Sequence, residues 1–565
     1  MFSLRTITEP TVKGKKRMGT SARPTGMSTA GRAALAVGML VGFYLLAAGL
    51  VLGVLGLDVA LVVGTGRLNP AIDKLILLSL AVAYPVLRVV FLTRRPREQG
   101  EPDGLLVTRE QQPELWARVD RIAERTGVRG PAEIRLIPEV NAGVREETKL
   151  LGLVPGKRHL VIGAPLLIGL TEAELDSVLA HEFGHYSNRD VRLAGVTVAG
   201  RTAILHAIHG LHARADGHQA QQQAELRAKA AKRLAKGKKV SGEEAGGGID
   251  RVLAKLFTQY AKLYFRVSES VSRRQEYAAD RSAAAIAGRD ATAAALRRLP
   301  LLAAAEDFYL HRYATIGWSA GLLPMPGQVY GGLAELLADP KRRQELAELA
   351  LEPTETEADP YDSHPPIAQR VAAVEALPDD GRGAEASGPA LGLLREAERT
   401  LAALESVSLV PEAATKRRVE WPELVQTACL ADCREDSQPI LTALTSVGLP
   451  GTVEALLDAI DAGRTWELAG RLPRDERSTA ATGLAAREAA RPVFRGSLAG
   501  LTVLALAESG LAHWEFSWST AAVLRLPDGW EETFTPALDA AVADRPDTAP
   551  LRTLLTTAGL TPAAH

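Results

Sequence analysis

Two long apolar runs near the N-terminus dominate the pattern of this chain. Ala33 to Leu57 carries no charge and is long enough to cross a bilayer. Leu75 to Leu92 is interrupted only by Pro85 and Arg88, both near its end. The connection between them, Asp58 to Lys74, is short and nearly charge-balanced. Lys13, Lys15, Lys16, Arg17, Arg23 and Arg32 precede the pair, and Arg94, Arg95 and Arg97 follow it. The bias of basic residues toward the cytoplasmic side puts both flanks there. The first run lies too far from Met1, and is too long, for a signal peptide, and a second run follows it. The pattern predicts a basic cytosolic arm over 1–32 and a two-span transmembrane hairpin over 33–92. A buried core hairpin is the competing reading.

Beyond the hairpin the periodicity turns helical. Pro113 to Val128 places Leu115, Val119 and Ile122 on one face. Ala132–Pro138 and Arg158–Ile162 are short, β-prone and bounded by Gly and Pro, and predict a small sheet. Asn141, Ala142, Gly143 and Val144 follow the first strand as either an exposed edge, on which an extended peptide docks by strand addition, or an ordinary turn. Thr171 to Asp190 has a helical stripe of Leu175, Val178, Leu179 and Phe183, opened by the capping-box pair Thr171 and Glu174. Leu193 to His212 is apolar but holds Arg201, His206, His209 and His212. It reads as a helix on the core or at the membrane surface, since Arg201 is costly in lipid. Ala213 to Gly248 is rich in Lys, Gln, Ala and Gly, and reads as a flexible basic insertion. Ile249 to Ala287 predicts a long helix, and Pro365 to Leu377 a shorter one. Pro378 to Gly388 is a polar linker, and 389–565 is Ala- and Leu-rich and predicted mostly helical.

Composition narrows the function. The chain has 565 residues, enough for more than one domain, and a net charge of −1 that offers no general attraction for nucleic acid. Its two cysteines, Cys429 and Cys433, build neither a disulfide framework nor a metal site by themselves.

The chemistry sits in His181-Glu182-Phe183-Gly184-His185, an H-E-x-x-H element on the predicted helix. Residues four apart share a helical face, so both imidazoles can grip one zinc ion, with Glu182 placed beside them as general base. A catalytic zinc needs a third protein ligand and an open position for water. Glu276 is the candidate, one helical turn before Asp280, whose carboxylate can orient a ligand histidine. His364 and Arg370 are candidate donors to the oxyanion; alternatively they are a helix start and an exposed cation. Gly184 weakens the helix, by roughly 1 kcal/mol against Ala, which a close neighbour would explain.

The run His159–Asp190, the block Ser272-Arg273 with Glu276–Asp280, and His364-Pro365-Pro366 with Arg370 together resemble the HtpX and CAAX-prenyl endopeptidase family of membrane zinc metallopeptidases. Asn141-Ala142 falls where that family leads into its substrate-binding edge. The resemblance covers roughly Pro113 to Leu377. It implies a mainly helical, zincin-like domain with a small β-sheet, carried on the transmembrane hairpin and followed by a helical C-terminal region. It implies one zinc ion per chain on His181, His185 and Glu276, Asp280 as the partner behind them, and His364 and Arg370 lining the site. The metallopeptidase domain then comprises 93–212 and 249–377, split by the insertion at 213–248. Linker 378–388 and accessory region 389–565 follow. The expected protein is multi-pass in the cell membrane, its catalytic domain facing the cytoplasm. Its expected partners are peptide or protein substrates and the bilayer, with membrane-protein quality control as the setting. Two further readings stand beside it: a catalytically inactive scaffold or sensor, and zinc-dependent hydrolysis of a non-peptide substrate. Two features depart from the family: Leu193–His212 matches poorly the further spans its members carry, and neither the insertion nor 389–565 has a counterpart.

Overall fold

The computed structural model describes residues 29–65, 70–92, 104–149, 154–187, 200, 203–214, 216–217, 248–351, 365–381, 387–473 and 483–560. His364, most of the basic arm and nearly all of the basic insertion lie outside them. The chain is mostly helical with small sheets and divides into two units. One comprises Met1–Arg94 and Asp190–Arg273, the other Arg95–Arg189 and Arg274–His565.

The first unit is a helical bundle. Helix α1 spans Thr29–Thr65 and α2 spans Pro70–Val86, continued by a π-helical turn over Leu87–Leu92. The α1 helix therefore runs past Asp58, where a charge after an apolar run had suggested its end. Asp58 is buried and accepts a 2.9 Å hydrogen bond from Ser79 Oγ of α2, which removes the penalty for a lone carboxylate there. Val37–Thr65 is, among the described residues, the one helical stretch long and apolar enough to cross a membrane. Only 17% of its most apolar window is buried within the protein, unlike the core helix of a soluble domain. Helix α6 (203–214) follows. Helix α3 (Pro113–Arg125), α4 (Ala164–Gly169) and α5 (Glu172–Ser187) precede it in the chain and belong to the second unit. Helix α7, Gly248–Ala287, gives its first part to the bundle. Phe43, Ala47 and Val51 of α1 pack with Ala83 and Val86 of α2, with Ile204, Ile208 and Leu211 of α6, and with Phe257 and Tyr264 of α7. His206, His209 and His212 all point outward from α6.

The second unit is built on a four-stranded sheet of order β1-β2-β4-β3, with β1 Leu105–Val107, β2 Glu133–Ile137, β3 Ala142–Lys149 and β4 Val154–Gly163. Strands β2 and β4 are parallel; the outer two run antiparallel to their neighbours. Leu115, Trp116, Val119 and Ile122 of α3 are buried in the core that this sheet shares with α4 and α5, as the helical period predicted. Pro113 opens α3 where a missing N–H leaves nothing unsatisfied. Helix α8 (Arg289–Tyr309), α9 (Gln328–Ala338), α10 (Pro340–Leu351) and α11 (Ile367–Glu375) complete this part.

The C-terminal residues add helices α12 (Ala397–Ser408) and α13 (Trp421–Ser446). Leu401, Leu404, Trp421 and Leu424 lie in the same core as the sheet, and β5 (Leu322–Pro324) pairs in parallel with β6 (Arg417–Val419). A separate cluster, including Leu456, Phe494, Leu498 and Trp530, forms around the helix Gly483–Glu508. An unforeseen hairpin, β7 (His513–Ser517) with β8 (Ala521–Arg525), carries Phe516 and Trp518 into an aromatic group with Tyr309, Tyr313 and Trp421. Trp518 stacks on Tyr313 at 5.2 Å, and the Tyr313 hydroxyl donates to Trp518 O at 2.6 Å. Arg342 donates to Trp518 O at 3.1 Å and to Ser519 O at 2.8 Å. Trp518→Ala should therefore destabilise the second unit by about 3 kcal/mol, the low end for losing an aromatic core side chain. Chemical denaturation of the detergent-solubilised chain measures it; a loss under about 1 kcal/mol would mean the hairpin tip is only loosely attached.

Candidate metal centre

Helix α5 begins as its sequence dictates. Thr171 N donates to Glu174 Oε2 at 2.8 Å and Glu174 N to Thr171 Oγ1 at 3.3 Å, a reciprocal capping box. This start sets His181 and His185 one turn apart on the same face. Their ring centroids are 4.8 Å apart and their Nε2 atoms 3.2 Å apart.

The last part of α7 brings Glu276 to the same point. Its Oε2 lies 3.5 Å from His181 Nε2 and its Oε1 3.6 Å from His185 Nε2. Metal bonds of about 2.0–2.1 Å in tetrahedral array separate ligand atoms by about 3.3–3.4 Å, so the three donors fit one zinc ion. They are also the only group of three or more potential metal donors among the described residues.

The close approach of the two helices depends on Gly184. A Cβ there would lie 3.2 Å from the Ala279 Cα and 3.1 Å from the Ser282 Cβ, tighter than ordinary contact. The glycine weakens α5 locally but lets α7 come near enough for Glu276 to reach the imidazoles.

Behind the donors stands a buried electrostatic chain. Asp280 Oδ1 is 3.0 Å from His181 Nδ1. This bond assigns one ring proton to Nδ1, so Nε2, which faces Glu276 and His185, is the nitrogen left for a metal once its own proton is displaced. Arg370, from α11, donates to Asp280 through Nε at 2.9 Å and Nη2 at 2.6 Å. Its Nη1 lies 3.5 Å from Glu276 Oε2. The guanidinium is buried and directed at the two carboxylates. Burial pulls the Asp280 carboxyl upward, but the bonds from Arg370 and His181 prevail and hold it below the usual carboxylate range. Burial likewise opposes charge on His181, yet the bonds to Asp280 and Glu276 push it up to about 9. The charge of Glu182, next to His181 on α5, acts on both His181 and Arg370.

The segment Asn141–Val144 lies at the sheet edge. Ala142, Gly143 and Val144 pair with Ile162, Val161 and Leu160 of β4, and β3 has no strand on its other side among the described residues. Helix α5 packs against this strand. Exposed Asn141 anchors the turn by accepting from Gly163 N at 2.7 Å. Any side chain at position 163 would collide with Glu139 O, so only glycine admits this turn. Glu306 of α8 was not singled out in the sequence. Its carboxylate accepts the N–H of Val140, and burial, reinforced by the charges of Glu139 and Asp307, pushes it up to about 7. Nothing in the local pattern of α8 marks it, because only the fold brings it beneath the turn.

A mainly helical domain on a small mixed sheet, with an H-E-x-x-H helix met by a distant glutamate, has the architecture of a metallopeptidase domain. The family model of peptidase family M48 matches residues 109–377, a little under half of the chain, in keeping with the resemblance to HtpX and CAAX-type proteases. Protease HtpX of Haemophilus influenzae (strain PittEE) is 30% identical over 209 residues, 35% of this chain and 64% of that protein. Protease HtpX homolog 1 of Streptomyces coelicolor is 32% identical over 200 residues, 35% of this chain and 56% of that protein. Protease HtpX of Xylella fastidiosa (strain M12) is 29% identical over 268 residues, 46% of this chain and 71% of that protein. The chain thus spans less than two thirds of the length of the Haemophilus and Streptomyces relatives. The crystal structure of S. mikatae Ste24p aligns at 15% identity and a TM-score of 0.22, over 60% of this chain and 67% of that one, too weakly to bear on the fold.

Two outcomes follow. Gly184→Ala should push α5 and α7 apart and weaken zinc binding by at least tenfold while leaving the far-ultraviolet circular dichroism unchanged; unchanged affinity would remove the packing argument. Zinc must displace the proton of His181, so its affinity should rise by about tenfold per pH unit as pH climbs toward 9, then level. Metal-free protein should show the opposite trend. The charged His181 contributes stability that is full below pH 6.5 and lost as pH rises through about 9. Zinc titration and apo-protein melting across that window test both signs.

Proposed function

We propose that the chain is a membrane-anchored zinc endopeptidase acting on extended or unfolded polypeptide at the cytoplasmic face, as in membrane-protein quality control. The observation that carries this reading is the triangle of His181 Nε2, His185 Nε2 and Glu276 carboxylate, with His181 oriented by Asp280. Relatives named Protease HtpX support peptide-bond hydrolysis. The outer edge of β3 beside α5, which carries no further strand among the described residues, supports an extended peptide as substrate, added along Asn141–Val144.

In this reading His181, His185 and Glu276 hold one zinc ion. When bound, the ion supplies Lewis acidity that polarises a carbonyl and acidifies a water. Glu182 accepts the proton of the attacking water and later delivers a proton to the leaving amine. Asp280 keeps the His181 proton on Nδ1, so that Nε2 stays available. Arg370 holds Asp280 ionised and aimed. With its donors turned to Asp280 and Glu276, it acts through the ligands rather than on the oxyanion. His364 remains the proposed donor to the oxyanion. The hairpin of α1 and α2 anchors the chain, and the basic residues on both sides of it support the cytoplasmic placement.

Glu182→Gln tests the central step. It should keep near-stoichiometric zinc while cleavage of an unfolded protein falls by about 10²–10⁴-fold. Unaltered cleavage would remove Glu182 from the base role, and wild-type protein that neither retains zinc nor hydrolyses after zinc is added would end the enzyme reading.

A further inference from the structure

The first part of α7 carries two parallel rows on its outward face. Val252, Leu256 and Leu263 are 65%, 45% and 53% exposed, large values for apolar side chains on an ordered helix. At spacings of four and seven they fall within about 40° of one another around the helix. Arg251, Lys255 and Lys262 repeat the same spacing one residue earlier, so their row runs about 100° to one side, and it too is exposed. The opposite face, with Leu253, Phe257, Ala261 and Tyr264, is buried in the bundle core. A helix face in water gains nothing from the exposed apolar row, and a face deep in hydrocarbon is incompatible with the basic one. The boundary between acyl chains and headgroups suits both: apolar side chains dip inward while lysine stems lie along them and place their ammonium groups among phosphates.

Two features of the chain point to lipid as the occupant of this face. The face belongs to the same helical bundle as α1, on which Leu45 and Leu52 are also exposed; α7 packs on α1 through Phe43 with Phe257 and through Tyr260 OH, which donates to Met39 O. The neighbouring stretches of the sequence, the N-terminal arm and the 213–248 insertion, are themselves basic and would be repelled by the Arg251–Lys255–Lys262 row.

We propose that this face of α7 binds the anionic headgroup layer of the bilayer. The proposal rests on the membrane reading above and deepens it by naming the lipid class. The test uses the full chain with Cys429→Ala and Cys433→Ala, bearing one fluorophore at Leu256→Cys or, as control, at Leu52→Cys. Each is reconstituted in phosphatidylcholine vesicles with phosphatidylglycerol. The label at 256 should be shielded from aqueous iodide and quenched by lipid-borne bromine, several-fold more when the bromine is on phosphatidylglycerol. Adding Lys255→Gln and Lys262→Gln should return that ratio toward one, each lysine at an anionic surface being worth about fivefold. Iodide quenching at 256 with lipid quenching at 52 overturns this proposal and leaves the hairpin standing. Iodide quenching at both positions overturns the membrane reading itself. Lipid quenching at 256 without preference between the two lipids overturns the anionic recognition. Unlabelled protein gives a second measurement: phosphatidylglycerol added to detergent micelles should raise the melting temperature of the wild type and not that of Lys255→Gln/Lys262→Gln. An equal rise in both also overturns it.

Discussion

Three donor atoms from two helices have to stay within a few ångströms of each other, and much of the second unit serves that constraint. One helix supplies both imidazoles by its own periodicity. The other must come close enough to offer Glu276, and the bare backbone at Gly184 against Ala279 and Ser282 makes room for it. The sheet and α3 fix α5 from one side through a core of large apolar side chains, including Leu175, Leu179 and Phe183. The capping box fixes where the helix starts, and so which way His181 and His185 face.

Charge then does what packing alone does not. A buried ion pair is weak evidence for stability, because the desolvation of both partners offsets their attraction. The Arg370–Asp280 fork is better understood as an orienting device. It holds the carboxylate in one position, and the carboxylate in turn selects the tautomer of His181. The same geometry explains why Glu276 can sit buried beside two imidazoles with a guanidinium 3.5 Å away.

The parts of this arrangement visible in the sequence are those that depend on local periodicity. The amphipathic stripe of α3, the capping box, the imidazole pair and the spacing of Glu276 and Asp280 each repeat at one helical turn. The long α7 helix is legible for the same reason, whereas at Ala142 the sequence leaves edge and turn both open and only the pairing with Ile162 decides for the edge. What stayed hidden depends on partners far along the chain. Asp58 looks like the end of an apolar run until Ser79 is found beside it. Strand β3 continues through Arg145-Glu146-Glu147-Thr148-Lys149, whose polar run lacks the alternation that marks a strand, because an edge strand is held by its backbone. The hairpin β7–β8 depends on Tyr313 and Trp421, roughly two hundred and one hundred residues earlier respectively. A cation near a helix start reads alike whether it meets substrate or, like Arg370, a carboxylate. The Ala- and Leu-rich residues after Pro389 announced helices without announcing that Leu401, Leu404 and Trp421 join the core beneath the sheet.

Arg370 stands 90 residues beyond the aspartate it grips. At synthesis rates of about 5–20 residues per second, that interval lasts roughly 5–20 s on the ribosome. Through it, the nascent chain already possesses both imidazoles and Glu276 but not the clamp that orders them. The order of residues along the polypeptide thus completes the donor set before it supplies the guanidinium that aligns it.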